Sequence, residues 1–172
     1  MNVAFHELVG IAIAQETGAR LGTRASGRPG VRAWIVASGL ALLSHGILDA
    51  LPHYYPLPSA ADVVVSVALV GAWLLLVPRW MRWPLFVVCL AALLPDIVDH
   101  FPKDVRRHLH IDLPVLPNLF PWHWRSDSGS LTGRTGPLWL ESLTNHVIVL
   151  AFCATMIVRT RALLGLPRAT RR

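Results

Sequence analysis

The chain has 172 residues, a length that suits one domain. Hydrophobic residues make up 53% of it and charged residues only 15%, against roughly 25% charged residues in ordinary soluble domains. The formal net charge is +6, but no basic stripe with interleaved aromatic residues accompanies it, which argues against nucleic-acid binding. The composition therefore predicts an integral membrane protein rather than a soluble domain.

Apolar runs in the sequence predict about five membrane helices. A full span needs about 20 residues, and most of the runs approach this length between turns rich in Arg, Gly or Pro. The predicted helices cover about residues 3–17, 32–51, 60–77, 84–100 and 137–161. The first is short and is expected to tilt or to lie partly in the membrane interface. The sequence thus predicts one all-α domain over residues 1–172, an integral membrane bundle.

The connections between these helices differ in length and character. Residues 78–83 are expected to form a short basic and aromatic turn. Residues 101–136 form a much longer connection, rich in Pro, His and Trp, and connections of this length are usually functional or disordered. The two tryptophans of the run 121–124 favour a segment resting in the membrane interface. We therefore expect a long, ordered outer loop.

The distribution of arginine predicts the orientation in the membrane. Arginines lie in segment 18–32, in the turn at 78–83 and in the tail at 159–172. If every helix crosses, these three regions share one side, which the positive-inside rule assigns to the cytoplasm. The N-terminus is then outside and the C-terminus cytoplasmic, although basic residues within 101–136, partly offset by aspartates, run against this orientation.

Histidine and aspartate recur within the apolar runs at helical spacing. His45 and Asp49 are four residues apart, as are Asp96 and His100, so each pair shares one helix face. Burying such groups among Leu, Ile and Val is unfavourable unless they pair with one another or bind a metal ion. The two pairs therefore predict a metal site inside the membrane.

The predicted ligands all fall in the outer half of the membrane. They are His6, His45, Asp49, Asp96, His100, His123 and His146. Histidine with Asp or Glu is the usual ligand set for zinc, with manganese or iron as alternatives, and the donors suffice for one ion or two. Asp99 or Glu7 is the expected general base, and Asp99 could equally orient His100.

Simpler interpretations compete with the metal site. A lone histidine on an apolar helix is more often a hydrogen-bonded core residue. Asp62 is more often a polar residue of the first helical turn, and His108 and His110 look solvated. Cys89 and Cys153 are read as small core residues without a disulfide. No Gly-x-Ser-x-Gly motif or P-loop is present, which leaves no competing nucleophile or nucleotide motif.

The order of the motifs resembles a known family. The run 6–10 (His-Glu-Leu-Val-Gly), the run 43–53 with its Ser-His-x-x-x-Asp block, and the run 93–96 (Leu-Leu-Pro-Asp) are similar to those of small bacterial multi-pass proteins described as membrane-bound metal-dependent hydrolases. The resemblance covers most of the chain and implies a metal ion and hydrolysis in a bacterial cytoplasmic membrane. It supplies no substrate.

The first hypothesis is a hydrolase at the outer face of the membrane. The interfacial depth of the ligands favours a lipid or lipid-linked substrate, and Arg106, Arg107 or Arg125 could hold its phosphate, so that a phosphoester is preferred over an amide. The alternative is a metal-binding or transport protein without hydrolytic activity. The inner half of the helices offers few polar residues, which argues against a through-going path. A structural partner protein that binds no metal is the third hypothesis.

Overall fold

The computed structural model describes residues 3–21, 28–51, 54–55, 59–115, 117–124, 129–130 and 137–163. In this part of the chain the architecture is all-helical, as predicted. The six α-helices are α1 Val3–Leu21, α2 Val31–Ala50, α3 Ser59–Leu76, α4 Arg79–Asp99, α5 Phe101–Leu109 and α6 Pro137–Leu163. A 3-10 turn spans Pro121–Trp124, and two parallel two-residue strands, β1 Tyr54–Tyr55 and β2 Gly129–Ser130, pair with each other.

Three of these helices are long and apolar enough to cross a membrane. They are α2, α4 and the section of α6 from Leu140 to Thr160, and α3 offers a shorter apolar stretch over Ala60–Leu76. Large apolar side chains point outward from them, including Ile35 and Ile47 on α2 and Phe152 on α6. A soluble protein would rarely expose so much apolar surface, and lipid is its natural solvent. The chain is thus a candidate membrane protein with three clear spans.

Helix α1 lies at the centre of the bundle rather than at its edge. It packs against α2, α3, α4 and α6, and residues along most of its length are buried. The contact with α4 is close because Gly10 has no side chain: a Cβ there would meet the Ala92 Cβ at 3.3 Å and the Cys89 Cα at 3.4 Å. Helix α1 is therefore enclosed by neighbouring helices on several sides, and its expected tilt or partly interfacial position stays a prediction.

Helix α4 starts earlier than its sequence suggests. The turn predicted at 78–83 is helical from Arg79 onward, with Pro78 as the residue that precedes it. Met81 is fully buried and Trp80 packs against the core, which draws this turn into the bundle. Pro84 was expected to open this helix, but it lies inside it, in the second turn, where its missing N–H removes one helical hydrogen bond.

The long connection after α4 is also partly helical. Residues Phe101–Leu109 form α5, with Pro102 in the first turn, where proline is favourable. The prediction of an unbroken loop over 101–136 is wrong in this section. Residues 110–115 and 117–120 then run without regular structure into the 3-10 turn. Residues 125–128 and 131–136 lie outside the described part of the chain.

Both ends of α1 are tied to neighbouring helices. At its start, the Asp62 carboxylate on α3 accepts hydrogen bonds from the backbone N–H groups of Val3, at 2.7 Å, and Ala4, at 3.2 Å. Near its end, the Thr160 hydroxyl on α6 donates to Gln15 Oε1 at 3.1 Å. Asp62 was interpreted as a residue of its own helix's first turn; the structure shows that it also caps the start of another helix.

Loss of this cap is expected to destabilise the bundle. Asp62→Ala would leave two buried N–H groups without their acceptor and should lower the free energy of unfolding by about 1–2 kcal/mol. Unfolding in mixed detergent micelles, followed by circular dichroism, measures the change. Asp104→Ala on the exposed side of α5 is the control. Equal stability of the two variants would contradict the capping role.

Candidate metal centre

A cluster of histidine and aspartate side chains forms where three helices and the 3-10 turn meet. His6 comes from the first turns of α1, His45 and Asp49 from the end of α2, Asp96 from the end of α4, and His123 from the 3-10 turn. These five residues are called the His/Asp cluster below. The helix ends from which they project lie at the same side of the bundle, since α1 begins where α2 and α4 end.

His45 is fixed by a hydrogen bond to a backbone carbonyl. Its Nδ1 lies 2.6 Å from the carbonyl oxygen of Ala92 on α4. A carbonyl oxygen can only accept, so Nδ1 carries the proton and donates it. In the neutral imidazole, Nε2 therefore presents a lone pair to the cluster.

His123 is fixed in the same sense by a carboxylate. Its Nδ1 donates to Asp99 Oδ2 at 2.8 Å, which leaves a lone pair on Nε2. Asp99 also accepts hydrogen bonds from the backbone N–H of Leu119, at 2.8 Å, and of Phe120, at 3.1 Å. The Asp99 carboxylate is thus occupied by three donors. It is a residue that positions His123, in a role close to the one predicted for it toward His100.

The lone pairs of these two histidines converge with two carboxylates. His45 Nε2 and His123 Nε2 are 3.3 Å apart. Asp49 Oδ2 lies 3.0 Å from the first and 3.2 Å from the second, and Asp96 Oδ1 lies 3.6 Å and 3.5 Å from them. Ligand atoms around a tetrahedral zinc ion, at about 2.0–2.2 Å from it, are roughly 3.3–3.6 Å from each other. His45, Asp49 and His123 therefore form one group that could hold such an ion, and His6, His45 and Asp96 form a second.

The same four atoms repel one another unless a cation lies among them. With both Nδ1 atoms protonated, neutral imidazoles bring no proton to the centre, and two carboxylates add negative charge. The side chains of His45, Asp49 and His123 are at most 10% exposed, so water screens this repulsion poorly. The cluster needs extra protons or a metal ion.

Two further histidines flank this centre. His6 Nε2 lies 3.3 Å from Asp49 Oδ1, and its ring stacks on that of His45 at 3.7 Å between centroids. Asp49 thus turns one oxygen to His6 and the other to His45 and His123, the arrangement of a carboxylate that can bridge two ions. The ring of His100 is exposed and lies 4.4 Å from that of His123, within reach of a group with Asp96.

His123 lies outside the long apolar helices, and its surroundings act on its pKa in opposite directions. Burial lowers the pKa of the imidazole, whereas hydrogen bonds to Asp49 and Asp99 raise it. The carboxylates prevail, so the pKa of His123 lies above its ordinary value. A proton and a metal ion therefore compete for Nε2 of this residue.

The 3-10 turn reaches the cluster because α2 carries a glycine beside His45. A Cβ on Gly46 would lie 2.6 Å from an atom of the Trp122 ring, so only glycine lets this indole pack against the helix backbone. Asn118 supports the turn from the other side, since its amide donates to the His123 carbonyl at 2.7 Å. Lys103 on α5 contacts the Asn118 side chain in turn.

Other predicted residues lie apart from the cluster or in different roles. His146 is buried, but its Nδ1 lies 2.6 Å from the Ser142 carbonyl of its own helix, and the structure does not bring it into a metal-binding group. Glu7 is buried beside the Cys89 thiol. Arg106 pairs with Asp112 at 3.1 Å on the surface.

The remaining predicted positions are peripheral. Arg107 is exposed on α5, and Arg125 lies outside the described residues. His110 is exposed in the left-handed conformation, in agreement with its interpretation as a solvated residue. The side chain of His108 is not among those described.

Several supporting residues escaped the interpretation of the sequence. The Ala92 carbonyl carries no sequence signal of its own, although Pro95 in the Leu-Pro-Asp run indicates a weakened helical turn nearby. Gly46 follows His45 directly, and the need for a glycine there is visible only once Trp122 is placed. Comparisons with family models, with curated proteins and with solved structures found no match to this chain.

Proposed function

We propose that the chain is a membrane-embedded, metal-dependent hydrolase acting on a lipid or lipid-linked substrate at the outer face of the bacterial cytoplasmic membrane. The observation that carries the proposal is the pair of fixed tautomers. Ala92 and Asp99 hold the protons of His45 and His123 away from the centre, so that both Nε2 lone pairs face the carboxylates of Asp49 and Asp96. Extra protons on the two imidazoles or a bound cation would each relieve the repulsion among these atoms, and we assign the site to a cation because histidine and aspartate are common zinc ligands.

The donor set favours zinc, with manganese or iron as alternatives. Imidazoles and carboxylates are suitable ligands for all three. His6, next to the second oxygen of Asp49, would take part in holding a second ion. A bound divalent ion supplies a water molecule whose pKa is lowered to near neutrality.

The protein residues then have distinct tasks in hydrolysis. Asp99 keeps the proton of the His123 imidazole on Nδ1, and the Ala92 carbonyl does the same for His45. Asp96 is the most exposed of the cluster carboxylates, at 23% against 10% for Asp49, and makes the longest cluster contacts. We assign it the additional role of accepting the proton of the attacking water. Glu7 lies beside Cys89, and we assign it a structural role beside the cluster rather than a role in proton transfer.

The depth of the cluster favours a lipid substrate. His45 and Asp96 lie five and three residues before the ends of their helices, which corresponds to roughly 5–8 Å below those ends. A phospholipid has its ester linkages near this level, whereas a soluble substrate would have to enter the cleft. A phosphoester is preferred because Arg106 and Arg107 lie on the adjoining α5.

The membrane arrangement is part of the same proposal. Five crossings by α1, α2, α3, α4 and α6 would place the cluster, α5 and the 3-10 turn together at the outer face, with the C-terminus in the cytoplasm. The order of sequence motifs that resembles membrane-bound metal-dependent hydrolases supports membership in that family. Charge distribution between the helices supports the orientation.

One observation favours a different function, metal binding or transport without hydrolysis. Gln15 and Thr160 are fully buried in the opposite half of the bundle, where the sequence had indicated few polar groups. Between Glu7 and Gln15, however, α1 faces its neighbours with Gly10, Ile11 and Ala14. This apolar interval separates the cluster from the second polar pair and disfavours a continuous path.

An activity screen tests the proposal. Purified protein in phospholipid vesicles is expected to release a head group from a phospholipid, a lipid phosphate or an acylated amide. A chelator should abolish turnover, and added zinc should restore it, as measured by mass spectrometry of the products. Cleavage of water-soluble esters without cleavage of lipids would contradict access from the membrane. Stoichiometric metal without turnover of any substrate would favour binding or transport.

A further inference from the structure

Helix α5 has an apolar face and a basic face, and the proposed metal site explains neither of them. Phe101, Val105 and Leu109 recur every four residues and form an apolar stripe, whereas Lys103 and Arg107 lie on the opposite face. Phe101 is 56% exposed and Leu109 63% exposed. The described parts of the chain therefore leave this apolar stripe largely uncovered.

The position of α5 places this stripe at the boundary of the membrane. Only His100 separates α5 from α4, one of the three helices suited to crossing, and hydrogen bonds from His100 N to Asp96 O and from Asp104 N to His100 O join the two helices. Nine residues of helix extend about 13 Å, less than half of the hydrocarbon thickness. Helix α5 is too short to cross the membrane. Its direct connection to the end of α4 also keeps it close to the membrane surface.

The segment after α5 continues its apolar surface. Ile111, Val115, Leu119 and Trp124 are all exposed large side chains. Tryptophan is enriched at the level of the lipid head groups, where its ring is apolar and its N–H can bond to water or phosphate. Trp124 in addition donates its indole N–H to the Asn118 carbonyl at 2.8 Å, which holds the ring in place.

The basic face suits the head groups of the same leaflet. Lys103, Arg106 and Arg107 are opposed by Asp104 and Asp112, and Arg106 is paired with Asp112. The net charge of this region is small, so electrostatic attraction alone would not hold it on a membrane. Burial of the apolar stripe supplies the main driving force, and exposed Arg107 is suited to contact lipid phosphates.

We propose that α5 is an interfacial helix that lies in the phospholipid leaflet beside the His/Asp cluster, with Phe101 and Leu109 buried among acyl chains and Arg107 among head-group phosphates. The proposal rests on the placement of α5 at the end of α4 and on its two faces. It does not depend on the metal ion or on hydrolysis. If α5 lies in the leaflet, phospholipid molecules lie directly beside the His/Asp cluster, at the depth from which a lipid substrate would enter.

Spin labels on the two faces test the proposal. Leu109→Cys and Arg107→Cys are two residues apart and both exposed, so their labels would point about 200° apart around the helix. The native cysteines are buried, and labelling of the unsubstituted protein gives the background. In phospholipid vesicles, the label at 109 is expected to collide more with oxygen than with a water-soluble nickel chelate. The label at 107 should show the reverse ratio.

Three outcomes would overturn the proposal. Equal ratios at both positions would show that α5 stands in water. A label at 109 that neither reagent reaches would show that a protein surface covers the stripe, either a second copy of the chain or another partner. A reversed pattern would place the basic face toward the acyl chains. The metal content of the same samples is measured as well. It shows whether the His/Asp cluster is loaded, so a failure of the α5 proposal can be told apart from a failure of the hydrolase proposal.

Discussion

Replacing His45 with alanine is expected to remove the metal ion from the purified protein. The variant loses an Nε2 donor that lies within 3.6 Å of three other donor atoms of the cluster. It also leaves the buried carboxylates of Asp49 and Asp96 with one neutral donor atom fewer beside them to help hold a cation. Changes in residues that only support a metal ligand cost about 10–100-fold in affinity, and loss of the ligand itself should exceed this range.

Elemental analysis of protein purified without chelator measures the effect. Wild-type protein should carry one or two ions of zinc, manganese or iron per chain, and His45→Ala close to none. The control is His110→Asn, since His110 is exposed in the left-handed conformation that asparagine tolerates. Full occupancy in the His45 variant would rule out the centre as described. Absence of metal from every variant and from wild type would favour a structural protein.

Asp99→Asn is expected to weaken metal binding about 10–100-fold without removing any ligand. The aspartate uses both oxygens to accept hydrogen bonds from His123 and from the N–H groups of Leu119 and Phe120. Asparagine offers one oxygen and an amino group that cannot accept. At least one of the three donors loses its partner, and where the amino group faces His123 Nδ1, that ring loses the bond that fixes its tautomer.

Two measurements separate a positioning role from direct catalysis. Competition with a chromophoric chelator gives the metal affinity, and turnover at saturating metal gives the activity. If Asp99 positions His123, affinity falls and added metal recovers much of the turnover. If it were the general base, affinity would stay at the wild-type level and turnover would remain lost. Asp104→Asn, on the exposed side of α5, should change neither quantity.

The sequence predicted the helical part of the cluster because helical spacing is a local property. His45 and Asp49 share a face whatever the rest of the chain does, and Asp96 follows a predictable apolar run. Their convergence with His6 required only that α1 run antiparallel to α2. His123 was harder to place, because its position depends on Asp99, on Asn118 and on Gly46, which lies 77 residues earlier in the chain, and no local pattern encodes these contacts.

The least predictable features of the fold are those decided by tertiary packing. Helix α1 is shorter in its apolar run than a full span and was expected near the interface, yet the other helices enclose it. Helix α5 lacks a long apolar run. Its pattern of one apolar and one basic face is a weak signal within a long connection rich in prolines and histidines. His146 has the chemistry of a ligand, but it lies on α6, whose contact with the bundle turns it toward Ser142 and Phe5.

The enclosure of α1 has a consequence for how the protein is made. This helix leaves the ribosome before α4 and α6, which supply much of its surroundings. It carries His6, Glu7 and Gln15 on surfaces that later become buried, and such polar side chains are unfavourable in contact with hydrocarbon. Helix α1 therefore cannot settle in lipid as an independent unit. Its final packing depends on α6, which follows the other helices in the chain, so the position of His6 in the His/Asp cluster is set only when α2, α4 and α6 surround α1.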